Sequence, residues 1–222
     1  RSMRSAYRPF VDIFINVHSI LYSYIYHIHY RFSRKSSRHR RKIFLLSQQE
    51  IQNIPWGSNS ARVDFGAMYA HRMNVLRQAF QRFTPDGAYE TFVEQNRSWL
   101  EDYALFTALK DTLGGKPWLE WPEALRLRKA DALAEKRREL SDEIRLQYFV
   151  QYEFDRQWKA LRSYANAKGV RIIGDVPIYV PLDSADVWAN PELFQLDESR
   201  HPEQVAGCPP DSFTADGQLW GN

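Results

Sequence analysis

Cysteine is almost absent from this chain: Cys208 stands alone among 222 residues. That excludes an intramolecular disulfide and any metal centre built from several thiolates, and nothing in the sequence asks for an oxidising compartment. The residues around Cys208, Gly207 with Pro209 and Pro210, read as a loop and not as the electropositive setting of a nucleophilic thiol. Repeats at a fixed period are missing, and so is low-complexity sequence after residue 50, which excludes solenoids and disordered arrays there. Acidic residues are lacking in one region only. Residues 1–48 carry ten Lys or Arg against Asp12 alone, net +9, so the remainder carries −6 within the total of +3. A chain this long holds one large domain or two small ones and can bury a core.

The acid-poor segment differs from the rest in more than charge. Phe10 to Tyr30 is long enough to span a bilayer and is followed by the basic run Arg31 to Lys42, so a membrane-anchored helical protein is one reading. Burying Asp12, Asn16, His18, His27 and His29 in lipid would be costly, and the alternation of tyrosine, histidine and isoleucine around residues 22–30 fits no helical stripe. The basic block follows the apolar part, the reverse of a signal peptide. The basic run could meet phosphates, but no nucleic-acid recognition fold surrounds it. The three histidines lack a placed carboxylate to complete a metal site. Residue usage changes abruptly near Ser47, and the favoured reading is a foreign or out-of-frame segment that joins no packed core.

From residue 51 the order is regular. Pro55, Gly57, Ser58, Asn59 and Ser60 form a loop. Asp64 is expected to cap a helix with Phe65, Tyr69, Met73, Leu76, Phe80 and Phe83 along one face, ending before Pro85. A short helical piece over Tyr89 to Glu94 is expected to lead to Ser98, which has capping-box spacing to Glu101 and would open a helix carrying Trp99, Tyr103, Phe106, Leu109 and Leu113. Gly114 and Gly115 would close it, and Pro122 would start another helix at its first position. The charged stretch from Glu123 to Glu139 reads as a solvated helical face.

A long helix is expected from Ser141 to Lys168, since Leu146, Val150, Phe154, Trp158, Leu161 and Ala165 recur at three- and four-residue spacing. Gly169 should stop it. Val170, Ile172, Ile173 and Val176 then read as a buried strand of a parallel sheet. Asp175 falls where Pro177 ends that strand, and function in α/β folds is built at such carboxyl ends. A loop-capping role for Asp175 is the other reading. After it, carboxylates, amides and aromatic rings interleave in loops: Asp183, Asp186 and Trp188, then Asp211, Phe213, Gln218, Trp220 and Asn222. Rings stack on sugar faces while carboxylates and amides take hydroxyls, so a carbohydrate cleft is a candidate beside a generic polar loop.

The runs GDVPIYVPLDSADVWANPELFQLD and VAGCPPDSFTADGQLWGN, with NRSWLEDYALFTALKDTLGGKPWLEWPEALR and QWKALRSYANAKGVRIIGD upstream, resemble the amylomaltases, the 4-α-glucanotransferases of glycoside hydrolase family 77. The likeness covers about residues 55–222, and residues 1–48 show none. It implies an α/β fold, a fragment of a (β/α)8 barrel: an atypical segment over 1–48, an inserted helical subdomain over 49–140, and a barrel helix, strand and active-site loops over 141–222. It implies a cytoplasmic enzyme without cofactor or metal, acting on α-1,4-glucans and not on nucleic acid or membrane. Transfer of glucan segments would proceed by a retaining double displacement. A non-catalytic glucan-binding remnant is the alternative.

By the same resemblance Asp175, with Pro177 and Asp183, supports the active site, and Asp175 is not the nucleophile. Pro209 to Gln218 corresponds to a loop over the acceptor sugar, with Asp211, Phe213 and Gln218 toward substrate; Trp220 and Asn222 line the cleft. Many members have tyrosine where this chain has Ser212. The family's nucleophile lies in an Arg-x-Asp-His motif and its acid follows later; both are expected beyond Asn222, leaving this chain truncated and inactive. Arg62-Val63-Asp64-Phe65 is the near match, but it lacks the histidine and precedes Asp175, so it reads as a helix cap.

Overall fold

A computed structural model describes residues 45–56, 64–174 and 179–219. Residues 1–44, with the anchor reading and most of the foreign segment, lie outside the described residues, as do Asp175, Val176, Pro177, Trp220 and Asn222. At the described end of that segment Leu46 is buried and Ser47 caps a helix, so the expectation that residues 1–48 join no packed core fails for 45–48. In chain order the elements are α1 (Gln48–Gln52), α2 (Phe65–Arg82), α3 (Gly87–Thr112), a 3-10 turn (Trp118–Glu120), α4 (Glu123–Arg126), α5 (Ala130–Glu139), α6 (Ser141–Ala167), α7 (Ala185–Ala189), a second 3-10 turn (Pro191–Leu193), and the strands β1 (Gly207–Cys208) and β2 (Gln218–Leu219). None of the described helices is long and apolar enough to cross a membrane.

Two compact units result, one of residues 93–148 and 172–219, the other of residues 45–92 and 149–171, so the boundary falls inside α3 and α6. The core of the first unit gathers Ala104, Leu105, Phe106, Ala108 and Leu109 of α3 with Trp118, Trp121, Leu125, Leu133, Ile144, Val187 and Trp188. Three of these rings pack mutually: Phe106 on Trp121 at 5.2 Å, Phe106 on Trp188 at 5.8 Å, and Trp121 on Trp188 at 5.7 Å. The second unit is held by another ring cluster, in which Phe83 meets Phe149 at 4.9 Å and Tyr89 at 5.2 Å while Tyr152 meets Phe92 at 5.7 Å.

Local signals are obeyed where one residue settles a helix end. The Asp64 carboxylate accepts from the Ala67 N–H at 2.9 Å, so the aspartate of the near match Arg62-Val63-Asp64-Phe65 is a helix cap. Gly169, at φ +77°, donates to the Asn166 carbonyl while the Val170 N–H reaches back to Ala165, both at 3.0 Å. This paired closure needs a left-handed residue and ends α6 where expected.

Other expectations are corrected. No helix starts at Ser98: α3 runs unbroken from Gly87 and is capped by Asp86, which accepts from the Tyr89 N–H at 2.9 Å. Nothing between 87 and 112 interrupts the backbone ladder, so the Ser98 and Glu101 spacing lies inside a helix. Pro122 sits one position before α4, which lasts only four residues before Arg128 turns left-handed at φ +55°. Phe65 and Tyr69 lie exposed at the start of α2 while Phe80 and Phe83 of the same stripe pack on Phe149, so only the later part of the expected face is used, and Met68 and Ala79 are buried as well. Arg72 covers Tyr69, with its guanidinium carbon 4.8 Å from the ring centre.

The largest correction concerns the strand. Residues 170–174 form none, and Ile173 is 91% exposed. A parallel strand exists only through hydrogen bonds to neighbours on either side, and among the described residues no segment pairs with this one. The described structure is therefore helical apart from the β1–β2 hairpin and an isolated bridge between Leu196 and Pro202.

Candidate functional site

The described candidates fall into two places within the first unit. Asp183 lies in the segment after residue 178, and its carboxylate is engaged: Lys110 of α3 donates to it, and so does the Trp118 backbone N–H at 3.2 Å. The buried Trp118 indole donates to the Leu182 carbonyl at 2.7 Å. Ser184 caps α7 by accepting from the Val187 N–H at 3.3 Å, and the Trp188 indole donates to the Leu125 carbonyl at 3.0 Å. Residues 182–188 are thus fastened to the helices at four points. Lys110 is a partner that sequence reading missed, since it lies 73 residues from Asp183 and its position in the last turn of α3 only suggests a dipole partner. Asp186, half-buried, has its carboxyl pushed up by burial.

The second place is the hairpin. Gly207 pairs with Leu219 and Cys208 with Gln218, antiparallel, so the backbone of Gln218 belongs to the ladder. The intervening loop is organised by Asp211, whose carboxylate accepts from the Phe213 and Thr214 N–H groups, each at 2.8 Å, while its own N–H donates to the Thr214 carbonyl at 3.0 Å. This is an Asx-type turn, formed because a short carboxylate reaches the amides two and three residues on. It leaves the Phe213 ring 90% exposed. The donors, Thr214 first and Phe213 next, hold the Asp211 carboxyl below the usual carboxylate range. The sign follows: the turn is fully stabilised above the ordinary carboxylate pKa and loosens as pH falls through the lowered one. NMR of the Phe213 and Thr214 amides across that range is expected to show them shifting together with Asp211, and Asp211→Asn should remove the pH dependence.

Gly217 closes the loop at φ +73°, and a Cβ there would stand 2.5 Å from the Cys208 carbonyl oxygen and 3.0 Å from the Pro209 carbonyl carbon. Gly217→Ala therefore combines a left-handed penalty of about 1–2 kcal/mol with a backbone collision. The expected outcome is loss of the Gly207–Leu219 and Cys208–Gln218 pairing, read from amide exchange, with the helices unaffected.

The hairpin aspartate and Asp183 have separate hydrogen-bond partners among the described residues. No three of His, Cys, Asp and Glu assemble as metal ligands among the described residues.

A family model described as 4-alpha-glucanotransferase matches residues 2–222. The match therefore takes in the N-terminal stretch to which the sequence reading assigned no likeness. Similar curated proteins are the 4-alpha-glucanotransferase of Thermus thermophilus, 49% identical over 172 residues that are 75% of this chain and 34% of that protein, and that of Clostridium butyricum, 41% identical over 181 residues that are 80% of this chain and 37% of that protein. Among solved structures, the amylomaltase of Streptococcus agalactiae in complex with acarbose matches with a TM-score of 0.76 and 41% identity, over 80% of this chain and 37% of that one. The chain spans about a third of the length of the relatives it matches.

Proposed function

This chain belongs to the 4-alpha-glucanotransferase family, and from that premise we propose that it is part of an enzyme that moves α-1,4-glucan segments between maltooligosaccharides, starch or glycogen. The supporting observation is the identity of 41–49% with enzymes of that name across three quarters or more of the chain. The reaction is a retaining double displacement. A carboxylate displaces the aglycone at C1 while a carboxylic acid protonates the leaving oxygen; the 4-hydroxyl of an acceptor glucan then attacks C1, gives up its proton to that same residue, and releases the carboxylate. Neither carboxyl group is assigned to a residue of this chain.

Within this reading the helices over residues 49–140 are a subdomain inserted in a (β/α)8 barrel, residues 170–176 become a barrel strand when their neighbours are present, and Asp175 with Pro177 stands at the floor of the site. Asp183 acts as a support, in keeping with its engagement by Lys110 and Trp118. The hairpin carries the acceptor-side contacts: Phe213, held outward by the Asp211 turn, offers a ring face to a pyranose, with Gln218, Trp220 and Asn222 following. The enzyme acts in the cytoplasm and uses no cofactor.

The reading frame tests this. Codons beyond Asn222 are expected to continue in frame into an Arg-x-Asp-His sequence, and the protein so encoded should convert maltotriose into glucose and longer maltodextrins. A stop codon there, or a continuing protein with no such conversion, would leave only the non-catalytic glucan-binding reading.

A further inference from the structure

We infer that residues 45–56 form a strap along α2, locked by the single side chain of Arg82 and detachable while the helices of its unit stay folded. The strap runs antiparallel to α2: its first residues meet the C-terminal end of that helix and its last meet the middle. At the first end Arg82 Nη1 donates to the Leu45 carbonyl at 3.0 Å and to Glu50 Oε2 at 3.1 Å, while Nη2 donates to Glu50 Oε1 at 2.6 Å. At the other, Trp56 meets the edge of His71 with ring centres 6.5 Å apart, and its indole donates to the Ile51 carbonyl at 2.9 Å.

Between these ends α1 has only five residues, too few to persist in water by itself. Its start is fixed by a reciprocal cap: the Glu50 N–H donates to Ser47 Oγ at 3.2 Å, and the Ser47 N–H donates to Glu50 Oε2 at 2.7 Å. The carboxylate that completes this cap is the one Arg82 grips. One guanidinium therefore secures a cap, a backbone carbonyl and the helix between them. Arg82 also lies in the last turn of α2, where its charge suits the carbonyl end.

Detachability follows from what the strap does not supply. Among its described side chains Leu46 alone is buried, at 8% exposure. The ring cluster of Phe80, Phe83, Tyr89, Phe92, Phe149 and Tyr152 that holds this unit contains no residue from 45–56. The lock is open to solvent, with the Arg82 and Glu50 side chains 48% and 37% exposed. Surface pairs of this kind open readily. Release of the strap would uncover the side of α2 around His71 and Arg82.

Amide exchange followed by mass spectrometry on the 222-residue chain tests this, with Arg82→Met and Glu50→Gln compared with the parent. Glu50→Gln leaves α2 untouched, so it serves if Arg82→Met disturbs that helix. Exchange over residues 45–56 is expected to speed by on the order of tenfold in both variants, the scale of one charge-assisted hydrogen bond, with peptides from residues 65–82 and 149–167 unchanged. Unchanged exchange over 45–56 would show that Arg82 is no lock. Faster exchange throughout the unit in Glu50→Gln would show that the strap does not detach separately. Either result overturns the proposal.

Discussion

Incubated with maltotriose, the purified 222-residue chain is expected to release neither glucose nor longer maltodextrins. Both halves of a retaining transfer need two carboxyl groups about 5 Å apart across the scissile bond, one to attack C1 and one to protonate and later deprotonate oxygen. Three of the described carboxylates are committed elsewhere: Asp183 to Lys110 and the Trp118 N–H, Asp211 to the amides of its own turn, Asp64 to a helix cap. Asp211, with its carboxyl held below the ordinary range, is the reverse of a general acid, which must keep its proton near neutrality. Loss of a nucleophile in an enzyme that works through a covalent intermediate costs about 10⁶ in rate, below detection by thin-layer or coupled glucose assays. Turnover that survived further purification and vanished in Asp175→Asn or Asp211→Asn would show the catalytic carboxylates to be among these residues.

Replacement of Trp188 by alanine is expected to have the largest effect on stability. The side chain is 1% exposed and fills the space between Phe106 and Trp121, its indole donates to the Leu125 carbonyl, and the Arg128 guanidinium lies 4.2 Å above its ring. Truncation leaves a large cavity, orphans that carbonyl contact and strips Arg128 of its ring, while the Arg128 pair with Asp102 at 2.8 Å remains. A buried tryptophan cut to alanine costs about 3–5 kcal/mol, a large fraction of the roughly 5–15 kcal/mol that holds a domain folded. Urea titration followed by tryptophan fluorescence should show the midpoint of the first unit falling sharply. Trp188→Phe, which keeps a ring but not the donor, should lose markedly less. A variant as stable as the parent would mean that this core does not depend on the triad of rings.

Asp64 as a cap, Gly169 as a stop and the continuity of α6 were readable because each depends on residues within about one turn of one another. Ser98 misled for a related reason: its spacing to Glu101 is a cap only if the helix begins there, and Asp86, twelve residues earlier, had already begun it. Phe65 and Tyr69 misled because an apolar spacing gives the period of a face but not the direction in which a neighbour lies.

The long motifs identified the family from order and wording alone, and with it the expectation of a ring at Phe213 and a carboxylate at Asp211 in one loop. What those residues do locally required the fold. That Asp211 spends its oxygens on the Phe213 and Thr214 amides, leaving the ring in solvent, depends on the turn that Gly217 closes against Cys208. That Asp183 answers Lys110 depends on a separation of 73 residues that no spacing encodes. The same limit governs residues 170–174: their apolar run is a necessary condition for a buried strand, but a strand is a relation between segments, and hydrogen-bonding neighbours convert β-prone residues into a sheet. Sequence alone determined the start of α2 at Asp64, the end of α6 at Gly169 and the family, because each is carried by contiguous residues. Tertiary structure decided which faces are buried, which carboxylates are committed and whether residues 170–174 pair, because each of these depends on partners far away in the chain.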